Sequence, residues 1–142
     1  MSSGLLVDNS AWSRLGQRAL PPERAAEIVD AVQRGLLHVC LPFLLEAGYS
    51  ARSATEHADT VADLTSMPSV TIDERVQTNA LAAQRGLARS GHHRLTPMDL
   101  IISALADRHD LGILHYDADY DVIRERTDLD FESVWLAPPG TL

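Results

Sequence analysis

Residues 5–12 read LLVDNSAW, an apolar run followed by an aspartate, two capping residues and the beginning of a helical segment. The run Leu5–Val7 predicts a short buried strand, and Asn9 and Ser10 are residues that often cap helices. A helix is then expected from about residue 11 to residue 18. A strand followed directly by a helix is the first step of the alternation that is typical of an α/β protein.

The same alternation of strands and helices continues along the chain. Further strands are predicted at residues 36–40, 69–72, 111–116 and 131–136. Further helices are predicted at residues 22–35, 42–51, 53–66, 73–90, 96–108 and 120–126. Because the strands are continuous apolar runs, we expect a mainly parallel sheet with helices on both faces. The whole chain, residues 1–142, is expected to form one domain.

Charge and composition exclude several classes of function. The net charge of −8 argues against nucleic-acid binding through a global basic field. All 12 basic residues are arginines, which excludes a P-loop lysine, a Schiff-base lysine and the lysine expected in a receiver-like or phosphatase site. Charges interrupt every apolar run, and residues 1–8 lack the basic region of a signal peptide, so we expect a cytoplasmic protein with no membrane partner. The lone Cys40 is predicted to be a buried structural thiol.

Four carboxylates lie at the edges of hydrophobic segments. Asp8 ends the first strand, Asp117 follows a later strand, and Asp99 lies at the start of a helix. Glu46 interrupts the apolar run Leu41–Ala47. A charged side chain at such a place is costly unless it is paired or binds a cation.

These acids converge if the strands at 5–7 and 111–116 are neighbours, because parallel sheets bind ligands beyond the carboxyl ends of their strands. Asp119 would then lie at the same edge of the sheet. Clustered carboxylates repel one another, which implies a cation between them. Oxygen ligands suit Mg²⁺ or Mn²⁺. The sequence therefore predicts a divalent-metal site.

Each acid also has a purely structural interpretation. Asp8 is a suitable cap for the first helix, and Asp99 follows Thr96 at the spacing of a capping box. Glu46 fits an ion pair with a nearby arginine. Three further acids fit a solvated turn that favours the next helix N-terminus: Asp117, Asp119 and Asp121.

The aromatic and histidine side chains give no comparable pattern. Trp12 and Trp135 are expected in the core or at an interface. The six histidines lack metal-ligand spacing, and His92 and His93 are predicted to form a loop pair that is exposed or contacts substrate weakly.

Four short motifs carry the acids: LLVDNSAW at 5–12, LLEAGY at 44–49, PMDLIISALA at 97–106 and ILHYDADYDVI at 113–123. Their order resembles that of PIN-domain ribonucleases, specifically the VapC toxins of bacterial VapBC toxin–antitoxin pairs. The resemblance implies a three-layer α/β/α sandwich around a short, mainly parallel sheet of four to five strands. Tyr120 stands where this family usually has phenylalanine.

The resemblance also implies roles for individual residues. The implied catalytic acids are Asp8, Glu46, Asp99 and Asp117. The implied ligands of a Mg²⁺ or Mn²⁺ ion are Asp8, Asp99, Asp117 and Asp119. The hydroxyl of Ser10 is implied to support the first acid.

The implied activity is that of a Mg²⁺-dependent endoribonuclease toxin that hydrolyses RNA phosphodiesters. The resemblance also implies a homodimer and inhibition by a cognate VapB antitoxin. Arg14, Arg52 or Arg94 is expected to contact the RNA backbone from the rim of the site. Two alternatives stay open: a catalytically inactive PIN-like module that binds RNA or a protein partner, and a metal-dependent nuclease that acts on DNA.

Overall fold

The computed structural model describes residues 4–92 and 94–142, which form four strands and seven helices. The strands are β1 (Leu5–Val7), β2 (Leu37–His38), β3 (Gly112–His115) and β4 (Ser133–Trp135). The helices are α1 (Asn9–Trp12), α2 (Pro22–Gln33), α3 (Leu41–Tyr49), α4 (Ala54–Leu64), α5 (Glu74–Arg89), α6 (Pro97–His109) and α7 (Asp119–Arg126). His93, one member of the predicted loop pair, lies outside the described residues.

The strands form one sheet in the order β2-β1-β3-β4, and every neighbouring pair is parallel. Leu6 lies opposite His38 on one side and opposite Ile113 on the other. The all-parallel sheet with its flanking helices confirms the predicted fold class. Because β1 and β3 are neighbours, the condition for convergence of the acids at one edge is met.

The centre of the sheet is the hydrophobic core. All four residues of β3 are buried, and Leu6 and Val7 of β1 have no exposed surface. Helix α6 packs against β1, β3 and α5. Cys40 lies in this core, and burial raises the pKa of its thiol to about 12, which agrees with the predicted structural role. No helix in the described part of the chain is long and apolar enough to cross a membrane.

The strand predicted at residues 69–72 is wrong. Only a single parallel bridge, between Val39 and Ser69, forms there. The pairing ends there because Cys40, which follows Val39, is already the N-cap of α3, so residues 70–72 have no neighbouring strand in the described chain to pair with. Asp73 then caps α5, its carboxylate accepting a hydrogen bond from the Val76 amide at 2.9 Å.

The helix predicted at residues 11–18 is also wrong in extent, because α1 ends at Trp12. The amides of Arg14 and Leu15 donate to carbonyls three residues earlier, at 3.0 and 3.3 Å, as in successive turns rather than an α-helix. Gly16, a poor helix former, follows them. The cap of α1 is Asp8, not Asn9 or Ser10.

Candidate metal centre

Three carboxylates meet at the carboxyl edge of the sheet. Asp99 comes from the first turn of α6, Asp117 follows β3, and Asp119 begins α7. One oxygen of each lies within 4.8 Å of the other two. Ligands on opposite sides of an octahedral Mg²⁺ ion lie about 4.2 Å apart. The three oxygens are therefore close enough to bind one such ion after small side-chain movements.

Burial and like charge disfavour the ionised form of two carboxyl groups in this triplet, Asp99 and Asp119. Burial, followed by the charges of Asp8 and Asp117, raises the pKa of Asp99 to about 7. Burial and the charge of Asp117 also raise the pKa of Asp119. Among residues 4–92 and 94–142, no basic side chain forms an ion pair with the triplet. An all-oxygen donor set without an internal counter-charge fits a hard divalent cation.

Asp8 lies beside the triplet and is already extensively hydrogen-bonded. Its Oδ2 accepts from the amide and the hydroxyl of Ser10, at 3.0 and 2.5 Å. Its Oδ1 accepts from the Tyr120 hydroxyl at 2.8 Å. The capping interpretation of Asp8 is therefore correct, and it coexists with a position next to the metal site. The Ser10 hydroxyl also accepts from the Tyr116 amide at 2.9 Å, which joins the ends of β1 and β3.

Glu46 lies on the Asp8 side of the centre, outside the triplet. It is half-buried in α3, and burial followed by the charge of Asp8 raises its pKa. The structure gives it no ion pair with any described arginine, so the alternative of a structural pair is wrong. The predicted catalytic role of Glu46 and the predicted metal contact of Asp8 stay predictions.

Of the other structural interpretations, the capping box of Asp99 is wrong and the turn at Asp117 and Asp119 is confirmed. Thr96 caps α6 without a side-chain hydrogen bond, so no capping box with Asp99 forms. Asp117 Oδ1 accepts from the Asp119 amide at 2.9 Å, so these two acids do shape the turn before α7. That turn brings both carboxylates toward Asp99.

Tyr120 is the residue whose importance the sequence analysis missed. Its side chain is fully buried, and its hydroxyl lies 2.8 Å from Asp8 Oδ1 and 3.2 Å from Asp99 Oδ1. Burial and these two charges raise the pKa of the phenol well above 10. The only signal in the sequence was a tyrosine hydroxyl within a motif of three aspartates.

The three arginines predicted at the rim differ in their contacts. Arg14 donates to the Ser10 carbonyl at 2.8 Å, and its guanidinium carbon lies 4.9 Å from the centre of the Tyr116 ring. Arg52 instead forms an exposed ion pair with Glu56 at 3.9 Å. Arg94 is exposed in the turn before α6. Arg14 is thus the one of the three that is fixed against residues next to the acids.

Known proteins share both the sequence and the fold. A PIN-domain family model matches residues 5–126. "Ribonuclease VapC18" of Mycobacterium tuberculosis is 33% identical over 139 residues, which cover 96% of this chain and 97% of the relative. "Ribonuclease VapC51" of the same organism is 35% identical over 143 aligned positions, which cover 100% of this chain and 99% of the relative.

A solved structure agrees at the level of the fold. The crystal structure of VapBC-5 from Mycobacterium tuberculosis, a member of the VapBC family of toxin–antitoxin systems, matches with a TM-score of 0.64 at 18% identity. The match covers 93% of this chain and 99% of that one. The family model spans most of the chain, and the alignments with VapC18 and VapC51 cover nearly all of it. The chain therefore belongs to the PIN-domain family and, within it, to the VapC group.

Proposed function

We propose that this protein is a divalent-metal-dependent endoribonuclease that acts as the toxin of a toxin–antitoxin pair. The observation that carries the proposal is the triplet of Asp99, Asp117 and Asp119, whose oxygens approach within 4.8 Å without a cationic partner in the described residues. The relatives named as ribonucleases support RNA as the substrate. An RNA substrate in turn supports action in the cytoplasm.

When bound at the triplet, Mg²⁺ or Mn²⁺ supplies Lewis-acid activation of water and neutralises charge on the scissile phosphate. Asp99, Asp117 and Asp119 would hold the ion. Asp8 would add a fourth carboxylate from the adjacent edge of β1, since among the described residues its Oδ1 accepts a hydrogen bond from Tyr120 alone.

Glu46 and Arg14 receive roles that do not require contact with the ion. The pKa of Glu46 is raised toward neutral pH, which suits this carboxylate to accept a proton from the attacking water. Arg14 is held in place by the Ser10 carbonyl and the Tyr116 ring. A guanidinium fixed in this way suits a contact with the RNA backbone, because arginine binds phosphate through paired donors.

We further propose inhibition by a cognate VapB antitoxin and assembly into a homodimer. The solved toxin–antitoxin relative supports the antitoxin. Three apolar side chains also recur at four-residue intervals on the exposed face of α3, the helix that carries Glu46: Leu41, Leu45 and Tyr49. Exposed apolar surface of this kind commonly marks an interaction site. The entire chain, residues 1–142, would act as one domain in these assemblies.

The test is cleavage of total cellular RNA by the purified protein with Mg²⁺ or Mn²⁺. We expect discrete fragments that disappear with EDTA, and a loss of more than about a hundredfold in the Asp99→Asn and Asp117→Asn variants, because each removes a proposed metal ligand. Asp59→Asn is the matched control, since it makes the same charge change on an exposed face of α4 and should leave cleavage unchanged.

Parallel assays separate the two alternatives. Single-stranded and double-stranded DNA of matched length are incubated under the same conditions, and preferential cleavage of DNA would replace RNA as the substrate. If neither RNA nor DNA is cleaved, calorimetric titration with Mn²⁺ tests whether the protein binds metal. Metal-independent RNA binding with no cleavage of either polymer would make the protein a binding module.

A further inference from the structure

A continuous chain of side-chain hydrogen bonds lies behind the loop that carries Asp117. The Asp117 amide donates to His115 Nδ1 at 3.1 Å, and His115 Nε2 lies 2.7 Å from the Ser133 hydroxyl. That hydroxyl donates to Asp121 Oδ1 at 2.5 Å. The Trp135 indole donates to Asp121 Oδ2 at 2.9 Å. The chain thus runs from β4 through α7 and β3 to the backbone of a proposed metal ligand.

The chemistry of Asp121 sets the direction of every bond in this chain. A carboxylate only accepts hydrogen bonds, so the Ser133 hydroxyl must give its proton to Asp121. The Ser133 oxygen is then left to accept from Nε2–H of His115. Nδ1 consequently carries no proton, which leaves it free to accept from the Asp117 amide.

The surroundings of His115 keep the ring neutral and fixed. Its side chain has no exposed surface and lies between the rings of Tyr120 and Trp135, with both centroid distances at 4.9 Å. The Asp117 amide donates to Nδ1 at 3.1 Å, so Nδ1 carries no proton and the ring has its single proton on Nε2. A neutral imidazole carries its proton on either Nδ1 or Nε2. Only the Nε2–H tautomer leaves Nδ1 as an acceptor for the Asp117 amide.

We infer that Asp121 is a positioning residue which, through Ser133, holds His115 in the Nε2–H tautomer and thereby fixes the Asp117 loop for metal binding. The metal-binding step of this inference rests on the proposed function. Asp121 is not one of the three acids that meet at the metal site. Its role is to orient the group that holds a ligand, as partners of metal ligands commonly do.

The Asp121→Asn variant tests the inference because an amide can reverse the chain. The indole N–H of Trp135 cannot accept a hydrogen bond, whereas the Ser133 hydroxyl can, so the new amide N–H₂ is expected to face Ser133. Ser133 would then donate to His115 Nε2 and require the Nδ1–H tautomer. Nδ1–H would oppose the Asp117 amide, and that bond would be lost.

Two measurements follow on the folded protein. Long-range ¹H–¹⁵N spectra of histidine-labelled protein report the tautomer, and the His115 signals are assigned by their absence in His115→Gln. We expect Nε2–H in the wild type and Nδ1–H, or a mixture, in Asp121→Asn. Calorimetry with Mn²⁺ should show affinity that is about 10–100-fold weaker in the variant. Trp135→Phe, which removes the second hydrogen bond to Asp121 and keeps an aromatic ring beside His115, should keep the wild-type tautomer.

The outcomes separate this inference from the proposed function. An Nδ1–H tautomer in the wild type, or Nε2–H with unchanged Mn²⁺ affinity in Asp121→Asn, would overturn the inference. Failure of the wild type to bind Mn²⁺ would instead remove the metal site from the proposed function, while the tautomer spectra still decide whether Asp121 controls His115. If Asp121→Asn fails to fold, Ser133→Ala interrupts the same chain, and unchanged Mn²⁺ affinity in that variant would equally contradict the inference.

Discussion

The Tyr120 hydroxyl is one oxygen shared by two buried carboxylates, at 2.8 Å from Asp8 and 3.2 Å from Asp99. Removing it by Tyr120→Phe keeps the ring and deletes one donor. Hydrogen bonds to charged groups contribute about 1.5–3 kcal/mol, so we expect the free energy of unfolding in EDTA to fall by about that amount. Urea denaturation followed by circular dichroism measures the change.

Saturating Mg²⁺ should reduce the stability loss of Tyr120→Phe, because the ion would bind the carboxylate oxygens that the hydroxyl no longer contacts. Tyr116→Phe is a suitable control: its hydroxyl accepts from the Leu142 amide at 2.9 Å, near the end of the chain, and does not touch the acids. An equal loss for Tyr120→Phe with and without Mg²⁺ would show that the hydroxyl stabilises the fold independently of the metal site.

At the residue scale, the sequence predicts which acids gather but not how they are supported. Asp99, Asp117 and Asp119 were found because each begins or follows a hydrophobic element whose end must lie at one edge of the sheet. Tyr120 and Asp121 could not be assigned in this way. Their roles depend on which side chain a neighbouring element places within about 3 Å, and sequence spacing carries no such information.

Strand β3 is the element on which the position of Asp117 depends. It lies between β1 and β4, and its Leu114 side chain has no exposed surface. Leu114→Ala should lower the free energy of unfolding by about 2–5 kcal/mol, because it removes buried methyl groups and leaves a cavity. Leu45→Ala makes the same chemical change on α3 at a side chain that is 55% exposed, and should cost less than about 0.5 kcal/mol. Chemical denaturation of both variants should rank them clearly, and similar losses would contradict the assignment of β3 to the core.

The elements that the sequence predicted correctly are those with strong local signals. Pro22 and Pro97 stand at helix starts, Ser53 and Asp73 accept hydrogen bonds as caps, and the apolar run of β3 is a fully buried strand. The errors occurred where local preference was weak. The strand expected at 69–72 has apolar residues but lies at the sheet edge just before the Asp73 cap, and the helix expected at 11–18 contains Gly16.

The whole molecule is acidic, with a net charge of −8, and two of its carboxyl groups with a raised pKa, Asp99 and Asp119, lie at the triplet. The pKa of Asp99 is about 7 in the folded chain against an ordinary value of 3.8. Between these pH values the folded state holds a proton that the unfolded state has lost, so the metal-free protein is destabilised as pH rises toward and past 7. His115 has the opposite effect on stability, but only below its ordinary pKa of 6.5. There the unfolded state binds a proton that the buried ring does not bind, so the folded protein loses stability as the pH falls.

We therefore expect the melting temperature of the EDTA-treated protein to fall between about pH 6.5 and about pH 8, and Mg²⁺ to raise it more at the higher pH, where Asp99 is ionised and can bind the ion. Differential scanning calorimetry at constant ionic strength measures both effects. Asp99→Asn should abolish most of the pH dependence and most of the Mg²⁺ response, whereas the exposed Asp59→Asn should retain both. A wild-type melting temperature that stays constant over this range in EDTA would show that Asp99 is already ionised at pH 6.5, and that burial and the neighbouring charges of Asp8 and Asp117 raise its pKa less than the geometry implies.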